Sequence, residues 1–164
     1  MLEYYLAQAL GMVSFALGVM CFYQKNDQYL RIVMMVFNVN HALHFALLGA
    51  VTSCLSSLLS ALRTGISIKF RSKYLAFFFI LITVTFGYFL SDNWYDLFPI
   101  IGTSIGTYAL YCFSGLKLRF AFLIGAFCWL INNIIVGSIG GILLESTLMV
   151  VNSLTIYRLY KKTK

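Results

Sequence analysis

An all-α membrane protein, with seven transmembrane helices in a 3+1+3 arrangement, is the fold class that three features of this 164-residue sequence predict. Hydrophobic residues make up 61% of it and charged residues only 10%, a balance that is hard to keep soluble. The apolar residues form seven stretches, most of them near the ~17 to 25 residues that cross ~30 Å of hydrocarbon. The clusters of lysine and arginine fall in alternate gaps between those stretches and at the C-terminal end, with Arg63 alone well inside a stretch. Backbone groups in lipid must be satisfied by helices or by a closed barrel. These stretches are too long and too uniformly apolar for barrel strands.

The first stretch runs from Leu6 to Tyr23. The chain begins Met-Leu-Glu with no basic leader, so this segment is expected to stay as the first helix and not to be cleaved as a signal peptide. The second, Leu30 to Leu48, carries Asn38, Asn40, His41 and His44, and the third, Val51 to Ile68, follows Gly49 closely. The fourth, Tyr74 to Leu90, is rich in Phe and lacks charged residues, which suits a lipid-facing linker helix. The fifth, Pro99 to Phe113, opens on the single proline of the chain. The sixth, Phe120 to Val136, and the seventh, Ile139 to Leu159, flank Gly137. Cys21, Cys54, Cys112 and Cys128 all fall inside spans without the close pairing of a zinc site. No metal or cofactor is expected.

Lys25 and Arg31 follow the first stretch, Lys69, Arg71 and Lys73 the third, and Lys117 and Arg119 the fifth. Arg158, Lys161, Lys162 and Lys164 close the chain. The other gaps and the N-terminal end carry only Glu3, Asp92 and Asp96. By the positive-inside rule the N-terminus lies outside and the C-terminus in the cytoplasm. The net charge of +7 is therefore a topology signal and not a nucleic-acid patch. The basic tail is expected to pair with anionic membrane lipid. Tyr88, Trp94 and Tyr95 surround the outer acidic loop and read as interface anchors.

The chain also repeats itself. Adding 91 brings Gly11, Cys21 and Phe22 onto Gly102, Cys112 and Phe113. Adding 88 brings Arg31, Gly49, Leu55 and Ile68 onto Arg119, Gly137, Leu143 and Ile156. One offset thus aligns two helices, the short turn between them and their basic flank. Both copies have the same orientation by charge, so an odd helix must lie between them. The expected organisation is a three-helix repeat at 1–73, a linker helix at 74–92 and a second repeat at 93–164.

Residues equally far from each glycine turn lie at equal depth. Eight positions on either side are His41 with Ser57 and Trp129 with Glu145, each roughly 12 Å below the turn at ~1.5 Å per residue. The repeat maps His41 to Trp129 and Ser57 to Glu145, so these four are expected to converge on a pseudo-twofold axis. His44 maps to Asn132 and Thr64 to Asn152. His41 and His44 share one helix face, as do Trp129 and Asn132. Polar residues inside a membrane are costly and are functional candidates by default. His41, His44, Ser57, Trp129, Asn132, Glu145 and Asn152 are the expected substrate-binding residues. Glu145 is also the proton-coupling candidate, since a buried carboxyl can carry a proton. Against each stands a structural reading: interhelical hydrogen bonds for the His and Asn residues, packing for Trp129, and a neutral or paired carboxyl for Glu145. Asn38, Asn40 and Asn133 rank lower, because one helix face must point away. Arg63 lies about 14 residues past Gly49, near enough to the cytoplasmic surface to snorkel, with a reach toward Glu145 as the other reading.

The parallel three-helix repeats resemble the SWEET, semiSWEET and PQ-loop superfamily of small transporters. In length and compact loops the chain is similar to the bacterial YgjV inner-membrane family. The resemblance covers nearly the whole chain as topology and hydropathy more than as motif. It implies a multi-pass protein of the bacterial inner membrane whose pocket is lined by an aromatic in the second helix of a repeat and a polar residue sixteen positions later. Trp129 and Glu145 match that spacing, with Glu145 in place of the usual Asn. The Pro-Gln pair of that superfamily is absent: Gln8 has no proline, and its repeat mate Pro99 is followed by Ile100. Glycines such as Gly11, Gly18, Gly102, Gly106 and Gly125 stand where flexibility or close packing is needed.

No phosphate loop, zinc motif or nucleophile elbow occurs, so no enzyme is expected. The leading expectation is a transporter of a small polar solute working by alternating access. The alternative is a non-transporting scaffold or sensor. A channel fits poorly, because a monomer offers one intramembrane acid and not a ring of ligands. Internal duplication removes the need for a homo-oligomer without forbidding one.

Overall fold

The structure is a computed structural model that describes residues 2–23, 27–70, 72–113 and 115–162. Of the basic flanks, Lys25, Arg71 and Lys164 lie outside the described residues, as do the side chains of Arg158 and Lys162. The described chain is all-helical: α1 Leu2–Tyr23, α2 Asp27–Leu47, α3 Val51–Ser67, α4 Lys73–Leu90, α5 Leu97–Cys112, α6 Gly115–Val136 and α7 Ile139–Lys162. A short 3-10 turn, Trp94–Asp96, precedes α5. Each helix coincides with one apolar stretch. The largest differences fall at the starts of α1 and α6, where helix continues outward from the apolar stretch and keeps its backbone groups bonded.

The helix ends have local causes. Gly49 and Gly137 adopt φ +73° and +74°, the left-handed region where a Cβ is disfavoured. At the first turn the Ala50 amide donates to the Phe45 carbonyl at 3.0 Å, and at the second the Ser138 amide donates to the Asn133 carbonyl at 2.9 Å. The two pairs are the same six-residue Schellman closure, 88 positions apart. Ser72 caps α4 by accepting from the Tyr74 amide at 3.3 Å. The Asp96 carboxylate accepts from the amides of Asp92 and Asn93, which holds the turn ahead of α5.

Helix packing runs from α1 to α2 to α3, crosses from α3 to α5, continues through α6 to α7 and returns to α1. α4 leans against α5 and α3. It buries Ala76, Phe79, Thr83 and Gly87 at helical spacing and exposes Phe77, Phe78, Leu81 and Phe89. Gly140 of α7 sits so close to the backbone of Gly11 on α1 that a Cβ there would overlap it.

The distribution of polarity is inverted relative to a water-soluble protein. α3 buries Thr52, Ser53, Ser56, Ser57, Ser60, Arg63, Thr64 and Ser67 with a single alanine, Ala61, while Val51, Leu58, Leu62 and Ile66 face outward. Buried polar and exposed large apolar side chains are the informative departures from the usual rule, and together they describe a surface made for lipid. Segments within α1, α4 and α6, of 19, 18 and 21 residues, are long and apolar enough to cross a membrane on their own composition. α2, α3 and α7 carry polar residues that dilute their hydropathy, and His41, His44, Arg63, Glu145 and Asn152 among them turn inward.

Candidate functional site

The depth argument for the second and sixth apolar stretches is met by the side chains. His41 on α2 and Trp129 on α6 approach to 6.2 Å between ring centroids. Phe45 stacks on Trp129 at 5.7 Å and meets His41 edge-on at 4.6 Å. Phe37 stacks on the other face of this run, 5.0 Å from His41. His41 is 3% exposed, and its Nδ1 has no hydrogen-bond partner. The indole packs against Gly102 of α5, where a Cβ would come within 2.7 Å of its Cδ1.

His44 and Asn132, also 88 positions apart, each tie helices together. The Nδ1 of His44 lies 2.6 Å from the Ala7 carbonyl on α1, and its Nε2 lies 2.6 Å from Ser138 Oγ at the head of α7. The Asn132 side-chain oxygen accepts from Ser53 Oγ of α3 at 2.9 Å, leaving its Nδ2 unpartnered. His44 thus reaches from α2 to the head of α7, and Asn132 from α6 to the start of α3.

Ser57 and Glu145 are buried where the turn spacing places them, and neither bonds to His41 or Trp129. Ser57 Oγ has no partner. Glu145 is 7% exposed, and no hydrogen bond or ion pair reaches it among the described residues. Asn152 belongs to a different layer. It accepts from Arg119 of α6 at 3.2 Å, near the basic end of the bundle. A similar tie is made by Arg31 of α2, 88 positions before Arg119, which donates to the Ser67 carbonyl of α3. Among the residues ranked lower, Asn40 fastens α2 to α1 through the Leu10 carbonyl and Ser14. Asn38 bonds within its own helix to the Met34 carbonyl, and Asn133 is fully buried with neither amide atom satisfied.

Arg63 departs from expectation. It does not snorkel: at 8% exposure its Nη1 donates to Thr107 Oγ1 of α5 at 2.7 Å. The α3 to α5 packing closes the path outward and supplies a hydroxyl in place of solvent. Two other tying residues were not legible beforehand. The Gln8 amide donates to the Gly137 carbonyl at 2.7 Å and accepts from the Ile139 amide at 3.1 Å, which clamps the turn between α6 and α7. Ser138 maps to Ala50 in the repeat, so no symmetry signal pointed to it.

Two clefts lie away from this cluster. One, of about 370 Å³, is apolar and runs between α6 and α7 at Leu116, Phe120, Leu123, Ile156 and Tyr157. The other, of about 330 Å³, lies between the Gly49 turn and the connection into α5 and is lined by Thr52, Asp92, Asn93 and Asp96.

An apolar exterior, a polar interior and helices of spanning length are the features of a membrane protein. Residues 5–163 match a family described as bacterial inner membrane protein. The chain belongs to the Imp-YgjV family. Over 164 residues it is 33% identical to the inner membrane protein YgjV of Escherichia coli (strain K12), covering 100% of this chain and 90% of that one. No solved structure matches the chain. As an Imp-YgjV protein it resides in the bacterial inner membrane as a multi-pass protein, and the inverted polarity of α3 has its explanation in that setting.

Proposed function

We propose that this member of the Imp-YgjV family is a non-enzymatic transporter of a small polar solute. It is read as SWEET-like and PQ-loop-like, with two parallel three-helix repeats, α1–α3 and α5–α7, joined by the linker helix α4. All seven helices span the bilayer, the N-terminus faces outward and the C-terminus lies in the cytoplasm. The two bundles rock about a midmembrane site containing His41, Ser57, Trp129 and Glu145, with His44 and Asn132 one turn toward the glycine turns and Asn152 toward the other end. Trp129 stacks on the apolar face of the solute, the His and Asn groups bond its polar edge, and Glu145 takes a cationic group or a proton. The arrangement of repeats is supported by the contact of His41 with Trp129, since an axis relating the repeats would bring two residues at the repeat offset together where it passes between them.

The observation that carries the reading is Glu145, a buried carboxyl with no partner among the described residues, in a helix bundle whose interior also holds unsatisfied polar atoms of His41, Ser57 and Asn132. Buried polar groups of a purely structural core satisfy one another. Groups that do not are suited to a visiting solute.

Cysteine accessibility tests this. The four native cysteines are replaced, and single cysteines are then placed at Ser57 and Glu145. Reaction with a polar thiol reagent from either side of a membrane vesicle is expected. If neither position reacts from either side, no aqueous pathway reaches the site, and a scaffold becomes the better account.

A further inference from the structure

The packing of α3 on α5 holds a charge that the proposed transport cycle has not used. Arg63 is more than nine-tenths buried. Its Nη1 is taken by Thr107, and the Tyr111 hydroxyl donates to the Arg63 carbonyl at 3.1 Å, fixing α5 against α3 at this level. The Nε has no partner. No acidic side chain pairs with the guanidinium among the described residues. Asp92 and Asp96 lie ahead of the opposite end of α5, and Glu145 on α7 forms no ion pair. On the same two helices the hydroxyls of Thr64, Thr103 and Ser104 are likewise buried without partners.

A guanidinium is always charged, and burying it without a counter-charge is costly. Structural arginines in membranes usually pair with a carboxylate or reach the headgroups. Arg63 does neither. We propose that Arg63 binds the anionic group of the transported solute, and that this solute is a small monocarboxylate. The inference rests on the transporter reading above and adds the substrate class. The side edge of the planar fork, Nε with Nη2, is the edge left without hydrogen bonds, and it matches a carboxylate in two parallel bonds. One guanidinium neutralises one negative charge. A dianion such as phosphate would bring net charge into the low-dielectric interior. The unpartnered hydroxyls on α3 and α5 are further donors of the kind a carboxylate accepts.

The test measures thermal stabilisation of the full chain in lipid nanodiscs by sodium acetate, propionate, lactate, pyruvate and benzoate. Sodium chloride, sodium phosphate, the neutral amides of the same acids and the matching amines are the comparisons. At least one carboxylate is expected to stabilise saturably while its amide does not. Its apparent affinity is expected to fall tenfold or more in Arg63→Gln and by less in Arg63→Lys, which keeps the charge without the fork. Equal binding of acid and amide, no response to any carboxylate, or undiminished affinity in Arg63→Gln overturns the inference. If Arg63→Gln does not fold, the comparison of acid with amide in the unaltered protein decides it alone. An amine or neutral solute whose binding depends on Trp129 but not on Arg63 overturns the carboxylate assignment and leaves transport standing. Failure of cysteine labelling at Ser57 and Glu145 removes both.

Discussion

His41 and Trp129, 88 positions apart in the chain, meet with ring centroids 6.2 Å apart. In the proposed repeat arrangement the two are equivalent, and a local twofold axis would demand such contact of residues beside it. His44 and Asn132 lie one helical turn further toward the glycine turns and do not need to touch. Instead His44 reaches Ser138 at the head of α7, and Asn132 reaches Ser53 near the head of α3.

The contact of α1 with α7 depends on two glycines. A Cβ on Gly140 would overlap the backbone of Gly11, whereas one on Gly106 would meet only Arg63 Nη1, at 3.7 Å. Gly140→Ala is expected to cost about 3 kcal/mol or to prevent folding, as overpacking against rigid backbone does. Gly106→Ala is expected to be neutral or mildly stabilising through helix propensity. Melting followed by size-exclusion fluorescence compares them, and equal midpoints would contradict the packing described.

Trp129 and Gly102 form a second close pair, in which the indole sits where an alanine methyl would go. Gly102→Ala is expected to destabilise by about 1–3 kcal/mol. Part of that loss should be recovered when Trp129→Phe is added, because a smaller ring gives way. A double-mutant cycle with no coupling would separate the two residues.

Gln8 holds the turn between α6 and α7 through two hydrogen bonds, to the Gly137 carbonyl and from the Ile139 amide. Gln8→Ala is expected to cost about 1–2 kcal/mol and to speed hydrogen exchange at Ile139. Gln8→Glu keeps an acceptor for the Ile139 amide and loses the donor to Gly137, so Ile139 should stay protected. Unchanged exchange in Gln8→Ala would show that the clamp does not form in solution.

Glu145 has no partner to lose among the described residues. Glu145→Gln replaces a carboxyl in a site of poor solvation with a neutral amide of the same shape and orphans no partner, so the melting midpoint is expected to hold or rise. Counterflow of the solute that stabilises the unaltered protein is expected to be abolished or to lose its pH dependence. Full transport at every pH would remove the proposed role, and a large fall in midpoint would mark the carboxyl as structural.

Much of this was legible in the chain. Seven helices, their approximate limits and the turns at Gly49 and Gly137 follow from hydropathy and glycine placement, because in lipid a backbone must bond within its own segment. The meeting of His41 with Trp129 followed from counting eight residues back from equivalent turns, since rise per residue sets depth. Depth does not set azimuth. Which way a side chain points around its helix depends on the neighbour it packs against. Spacing therefore placed Arg63 at its level but not against Thr107, and put Ser57 and Glu145 at the depth of His41 without bonding them to it. The clamp of Gln8 on Gly137 joins residues 129 positions apart, and the bond from Ser53 to Asn132 spans 79. Neither has a counterpart in local pattern. Such contacts arise when α7 closes on α1 and α3 on α5, and that closure is a property of surfaces packed in three dimensions.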